Sequence, residues 1–287
     1  MLQFWLKKRR QTRRYSVTTA GIIIFLLTQI LSCSNPVKGY VEEAERKWQR
    51  GDYAGAVIEY RKVVEKDPSS KWSEEALFWI GTAYMLHLKD VEKALVNFKK
   101  LVRLYPQGER APEAQFYIAG IYEKEYEDYS RAIVEYQRVI ESYSNRALHQ
   151  QAKYRIADCY MKKGDYKRAA EEWSQFLERY PKGENAEMAL YLLGSSYHAL
   201  GEYAKGREVF NRLLSENPDT ELWTESRLGI AECLVGEGKL KEALQILRET
   251  RERYENKDAI DIKIAAIQSR INKSNLPFHS PSRRQKK

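Results

Sequence analysis

The chain has 287 residues, 43% of them hydrophobic and 31% charged, with 20 tyrosines against 15 glycines, a composition that supplies a core and favours helix over a turn-rich all-β fold. The formal net charge of +9 sits at the two ends: residues 1–32 hold six basic residues and no acid, and Arg283, Arg284, Lys286 and Lys287 add four more, so the stretch from Cys33 to Ser282 sums to −1. A near-neutral body argues against nucleic-acid binding, which needs basic charge concentrated on the fold.

After a basic, polar start, Ala20 to Leu31 (AGIIIFLLTQIL) is an apolar run of 12 residues interrupted only by Thr28 and Gln29. About 20 residues are needed to span a bilayer, so this run is short for a transmembrane helix and reads as a secretory signal. Ile30-Leu31-Ser32-Cys33 resembles the lipobox of bacterial lipoproteins, with a small residue before the cysteine and isoleucine where leucine is more usual. The resemblance implies that residues 1–32 are removed, that the Cys33 thiol takes a diacylglycerol and that the new amino group is acylated. An uncleaved signal anchor with an incidental cysteine is the alternative. Arg13-Arg14 does not open a twin-arginine signal, since Ser16 and Val17 do not continue that pattern. Ser34 follows the cysteine, and in enteric lipoproteins serine there accompanies release to the outer membrane. The resemblance thus implies an outer-membrane protein, lipid-anchored and facing the periplasm, with residues 33–39 as a short tether.

From residue 40 the chain repeats itself every 37 or 38 residues. EALFWIGTAY (75–84), EAQFYIAGIY (113–122), QAKYRIADCY (151–160), MALYLLGSSY (188–197) and the weaker ESRLGIAECL (225–234) align in register. A small residue opens each: Ala76, Ala114, Ala152, Ala189 and Ser226. The columns four, five and eight residues on define one face of a helix rather than a strand alternation. A second set follows about ten residues later: Ala56, Ala94, Ala132, Ala169, Gly206 and Ala243, each with a large partner at i+4 (Tyr60, Phe98, Tyr136, Trp173, Phe210, Leu247). Pro68, Pro106, Pro181 and Pro218 close the second helices, because proline cannot continue a helix interior.

Four hairpins turn at Gly51, Gly164, Gly201 and Gly238, where glycine can take the left-handed conformation that ends a helix. Two lack the glycine and carry one extra residue instead (Tyr84 to Ala94, Tyr122 to Ala132), which accounts for the 38-residue periods. The last repeat has Thr250 and Arg251 in place of an apolar pair, so its outer face is expected to be partly solvated. Ile260, Ile264, Ile267 and Ile271 then form a stripe over 258–272, read as a helix capping the stack at residue 257. Residues 273–287 have no periodicity and read as a disordered basic tail.

The columns resemble the tetratricopeptide repeat in order and spacing over about six hairpins. The resemblance implies an all-α, right-handed solenoid spanning 40–257 with a C-terminal capping helix. One further column, Phe78, Phe116, Tyr154 and Tyr191, recurs on the first helix of each hairpin. In tetratricopeptide proteins this register faces the concave groove that holds extended peptides or partner helices. Two readings stand: the four are anchors for a partner, or they pack against the neighbouring hairpin.

No catalytic group is legible, so the chain is not expected to be an enzyme. His87, His149, His198 and His279 lie in no metal-binding spacing, and neither a phosphate loop nor a nucleophile elbow is present. No cofactor, metal or small-molecule substrate is expected. Cys159 and Cys233 are two periods apart, too far for a disulfide, and read as small semi-buried thiols. A lipid-anchored repeat protein with Tyr-Pro at hairpin ends resembles the BamD-type lipoproteins of outer-membrane β-barrel assembly. That resemblance implies a non-catalytic scaffold whose partners are envelope proteins and, through its anchor, the membrane. The alternative is a periplasmic scaffold for pilus assembly, secretion or Tol-Pal-type division.

Overall fold

The computed structural model describes residues 36–254 and 256–274. Cys33, the tail from residue 275 and His279 lie outside the described residues. The described residues form 13 α-helices and no strand. Two compact units divide between Ala114 and Gln115.

The first unit contains α1 (Pro36–Gln49), α2 (Tyr53–Lys66), α3 (Lys71–Thr82), α4 (Val91–Leu104) and the opening turn of α5 (Ala111–Lys124). Helix α1 begins four residues ahead of the boundary read from the sequence. The second unit continues α5 and adds α6 (Tyr129–Ser142), α7 (Arg146–Lys162), α8 (Tyr166–Arg179), α9 (Ala186–Ala199), α10 (Tyr203–Glu216), α11 (Trp223–Gly236), α12 (Leu240–Arg251) and α13 (Lys257–Ser274). Within each unit consecutive helices pack on one another as hairpins. Both are all-α stacks of the tetratricopeptide type.

The small-residue columns explain the packing. Ala56, Ala76, Ala94, Ala114, Ala132, Ala152, Ala169, Ala189 and Ala243 are all fully buried. The i+4 partners on the second helices are among the largest buried side chains: Phe98 and Trp173 are 0% exposed, Tyr136 and Leu247 1%, Phe210 2%. Small faces large closely enough that a Cβ on Gly81 would stand 2.6 Å from the Phe98 ring, and one on Gly194 2.8 Å from Phe210. No added carbon fits there without moving an aromatic ring.

The turns follow the sequence reading. Gly51, Gly164, Gly201 and Gly238 have φ of 76–78°. In these hairpins the N–H of the residue opening the second helix donates to a carbonyl five residues back (Asp165 to Tyr160 at 3.0 Å, Glu202 to Tyr197 at 2.9 Å). In the two longer hairpins the same bond spans six residues: Asp90 to the Tyr84 carbonyl at 3.0 Å, and Asp128 to Tyr122 at 2.9 Å. The extra residue is absorbed by placing Lys89 at φ 55° and Glu127 at φ 50°, and after α3 by a π-helical turn over Ala83–His87. Asp52, Asp90, Asp128 and Asp165 each cap the following helix by accepting the N–H three residues on, a contact worth about 1 kcal/mol.

Helix α13 covers the last hairpin. Ile260 is 0% and Ile267 6% exposed, packed with Ile230, Leu234 and Leu244, while Ile264 and Ile271 are half-buried beside them. The Arg251 guanidinium donates two hydrogen bonds to Asp261, at 2.6 and 2.8 Å. One expectation is corrected here. Thr250 is not solvated but fully buried. Its hydroxyl donates to the Ile246 carbonyl at 2.7 Å, so the polar atom is satisfied inside its own helix.

Candidate functional site

The aromatic column on the first helices is placed against the second helix of its own hairpin. In the first unit Phe78 is 4% exposed and meets Phe98 edge-on at 6.1 Å between centroids; the Arg110 guanidinium lies over its other face at 4.7 Å. In the second unit Phe116 meets Tyr136 at 5.1 Å, Tyr154 meets Trp173 at 4.9 Å, and Tyr191 meets Phe210 at 5.7 Å. Phe116, Tyr154 and Tyr191 are half-buried. Each therefore has one part in the hairpin interior and one part at the surface. Phe78 is the exception and belongs to the core. Burial pushes the Tyr154 hydroxyl above its ordinary pKa, with Asp158 adding to the rise.

Beside this column in the second unit lies a charged cluster built on Glu123 and Asp158, further along the same helices. The Glu123 carboxylate is 0% exposed. It accepts from the Tyr136 hydroxyl at 2.8 Å and from the Lys162 ammonium at 2.7 Å, with the Arg155 guanidinium at 3.6 Å. Lys162 also pairs with Asp158 at 2.9 Å. Burial acts to raise the Glu123 pKa, but the hydrogen bonds from Lys162 and Tyr136 and the charges of Arg155 and Lys162 together hold it below the ordinary value. Every group is matched, so the cluster joins two successive hairpins and leaves no proton poised for transfer.

The same unit holds an apolar cavity of about 330 Å³ near its C-terminal end, lined in part by His198, Tyr203, Val235, Leu247, Lys263 and Ile267. Helices α11 and α13 form its walls. In the first unit, Trp48, Tyr53, Trp79 and His87 make an aromatic cluster; Tyr53 stacks on His87 at 3.6 Å with the rings nearly parallel.

Cys159 and Cys233 are buried free thiols. Burial, reinforced by nearby acids, pushes their pKa up to about 12 and about 11, so both stay protonated at neutral pH and are poor nucleophiles. Among the described residues no group of three or more His, Cys, Asp or Glu could hold a metal ion, and no helix is long and apolar enough to cross a membrane.

Residues 109–232 match the family model described as "Outer membrane lipoprotein" (YfiO), and residues 75–108 match a tetratricopeptide repeat model. No curated protein matches the chain at a significant level. Among solved structures the chain is similar to a tetratricopeptide repeat protein from Parabacteroides merdae ATCC 43184 (19% identity, TM-score 0.55, covering 83% of this chain and 89% of that one). It is also similar to PilW, a widely conserved type IV pilus biogenesis factor (14% identity, TM-score 0.51, 79% and 99%), and to MamA protein (22% identity, TM-score 0.51, 63% and 92%). At these identities the likeness establishes the fold alone. The chain is a tetratricopeptide-repeat protein that resembles the BamD-type outer membrane lipoproteins.

Proposed function

We propose that this protein is a non-catalytic scaffold of the cell envelope, anchored to the outer membrane through lipid on Cys33, that holds partner proteins during the assembly of outer-membrane β-barrels. The observation that carries this reading is the match of residues 109–232 to the outer membrane lipoprotein family. The lipobox-like Ile30-Leu31-Ser32-Cys33 supports the anchor. The half-buried aromatics Phe116, Tyr154 and Tyr191 support a binding face on the first helices, because a ring fixed at one edge by the hairpin interior offers its other edge at little entropic cost. Phe78 contributes to that face only by shaping the core beneath it. Extended peptides or partner helices are the class of ligand such a face takes, at successive points along the repeats.

The test is isolation of the full chain from detergent-solubilised membranes with identification of the bound proteins. Recovery of a β-barrel assembly component in stoichiometric amount supports the reading. Recovery of pilus or secretion proteins instead would replace the assigned machine while leaving the scaffold role in place.

A further inference from the structure

A small cavity of about 150 Å³ opens on the first unit between α1, α2 and α3. Its lining is Glu45, Trp48 and Gln49 from α1, Tyr60 from α2 and Trp79 from α3. The two indoles stand 5.1 Å apart at 67° and so make a corner. Trp48 is braced from behind by Tyr53 and His87, whose ring centroids lie 5.1 and 5.4 Å from its own. Both tryptophans are half-buried, and Tyr60, at 4% exposure, forms the floor.

The electrostatics of this cavity are negative. Indole and phenol faces carry the negative end of their quadrupoles. Glu45 adds a full charge and makes no ion pair among the described residues. Burial first, and then the charges of Glu45 and Glu75, push the Tyr60 hydroxyl above its ordinary pKa. No basic residue lines the cavity.

The same unit shows how such surroundings hold a cation. The Arg110 guanidinium lies 5.9 Å from the Trp79 ring centroid and 4.7 Å from that of Phe78, and its Nε donates to Glu75 at 2.9 Å. An aromatic face with a carboxylate at its edge is thus already filled by an arginine of the chain itself. The Glu45–Trp48–Trp79 corner shares the Trp79 ring with that arginine, but among the described residues no base is part of its own lining.

We propose that this corner is an aromatic cage for a cationic side chain, an arginine or lysine, of the partner protein. The proposal rests on the scaffold reading above and names the chemistry of one contact within it. Trp48 gives indole surface for cation–π contact, Trp79, which also meets Arg110, walls the corner, Glu45 neutralises the charge at the rim, and Gln49 offers an amide for hydrogen bonding. The cage selects residue type through one anchoring cation, while the aromatic register of the second unit takes apolar groups.

The experiment uses the full chain in detergent micelles and follows the indole N–H resonances of Trp48 and Trp79, assigned with Trp48→Phe and Trp79→Phe. The probe is the tripeptide acetyl-Gly-Arg-Gly-amide. Its neutral citrulline analogue and glycerophosphoethanolamine, a soluble lipid-headgroup cation, are titrated in parallel. The proposal predicts saturable shifts of both resonances with the arginine peptide, binding about tenfold weaker for citrulline, and about fivefold weaker for Glu45→Gln. Glu45 is exposed, so that variant keeps the fold. Absence of shifts, equal binding of arginine and citrulline, unchanged affinity in Glu45→Gln, or a response to the headgroup alone would each overturn it. Failure here leaves the scaffold reading intact, because that reading is measured separately by the proteins recovered with the full chain from solubilised membranes.

Discussion

The Lys162 ammonium reaches back 39 residues to donate a 2.7 Å hydrogen bond to the Glu123 carboxylate, which is buried in the preceding hairpin. This bond fastens one repeat to the next with a fully buried carboxylate, whereas the Arg207–Glu237 pair, which does the same further along the unit, leaves its carboxylate partly exposed. Removing one partner of a buried pair leaves the other uncompensated and is costly. Lys162→Met is expected to lower stability by about 1–3 kcal/mol, since Tyr136 and Arg155 still serve the carboxylate. Chemical denaturation measures it. The pH dependence has a definite sign. The Glu123 pKa is depressed on folding from its ordinary 4.5, so its contribution is complete above that value and is lost as pH falls through the folded-state value. The stability gap between the wild type and Glu123→Gln is therefore expected to be constant at neutral pH and to narrow in acid. A gap that widens in acid would contradict this assignment.

The two long hairpins hold non-glycine residues at positive φ, Lys89 at 55° and Glu127 at 50°. An L-residue there costs about 1–2 kcal/mol, part of which glycine gives back through its freer unfolded chain. Lys89→Gly and Glu127→Gly are each expected to raise stability by about 0.5–1 kcal/mol. Gly164→Ala, at φ 78°, should lower it by a similar amount. Denaturant midpoints decide the matter; a midpoint lowered by Lys89→Gly would mean that the lysine side chain does more for the turn than its backbone costs.

The cap α13 depends on Ile260 and Ile267 more than on the other two isoleucines of its stripe. Ile260→Asp places an unpaired charge at a fully buried position and is expected to cost several kcal/mol, about 3–5 by analogy with other buried unpaired charges. Ile262→Asp, at 71% exposure, should be close to neutral. Equal melting curves for the two variants would show that the helix packs on nothing.

Cys33 is expected to be the first residue of the mature protein and to carry lipid. Three acyl chains give firm anchoring, since two signals already suffice where one chain is marginal. Cys33→Ser is expected to move the protein to the soluble periplasmic fraction or leave an unprocessed precursor of altered mass. A variant retained in the outer membrane with unchanged mass would rule out the lipobox reading.

The recurring columns made the fold readable in advance, because packing of small against large is the same problem at every repeat. Ala76, Ala114, Ala152 and Ala189 could be aligned without a structure, and so could the glycine turns. Thr250 was misread because a hydroxyl looks polar in sequence, although a helical threonine can satisfy itself on the carbonyl four residues back. The site was less legible for the opposite reason. What distinguishes one repeat from another lies in columns that do not recur: position 48 of α1 is Trp, and the equivalent residues are Met85, Glu123, Met161, His198 and Val235. A search for repetition finds this register but not what each of its members touches. The cage at Trp48 and the cluster at Glu123 share that variable register and became visible only once Trp79 and Lys162 were placed beside them. Of the recurring aromatics, Phe78 turned inward while Phe116, Tyr154 and Tyr191 kept a surface edge, a difference of burial that residue type does not encode.

The central claim is that partner proteins are held on the face of the first helices. It is tested most directly by site-specific photo-crosslinking in producing cells. A benzoylphenylalanine placed at Tyr154 or Tyr191 preserves an aromatic ring against Trp173 or Phe210. The same residue at Val134, exposed on the second helix α6, is the control. The account predicts adducts with one β-barrel assembly protein at positions 154 and 191 and none at 134, with the thermal melt of each variant unchanged. Adducts at 134 with none at 154 or 191, in equally folded proteins, would contradict it and place the binding surface on the opposite face of the hairpins.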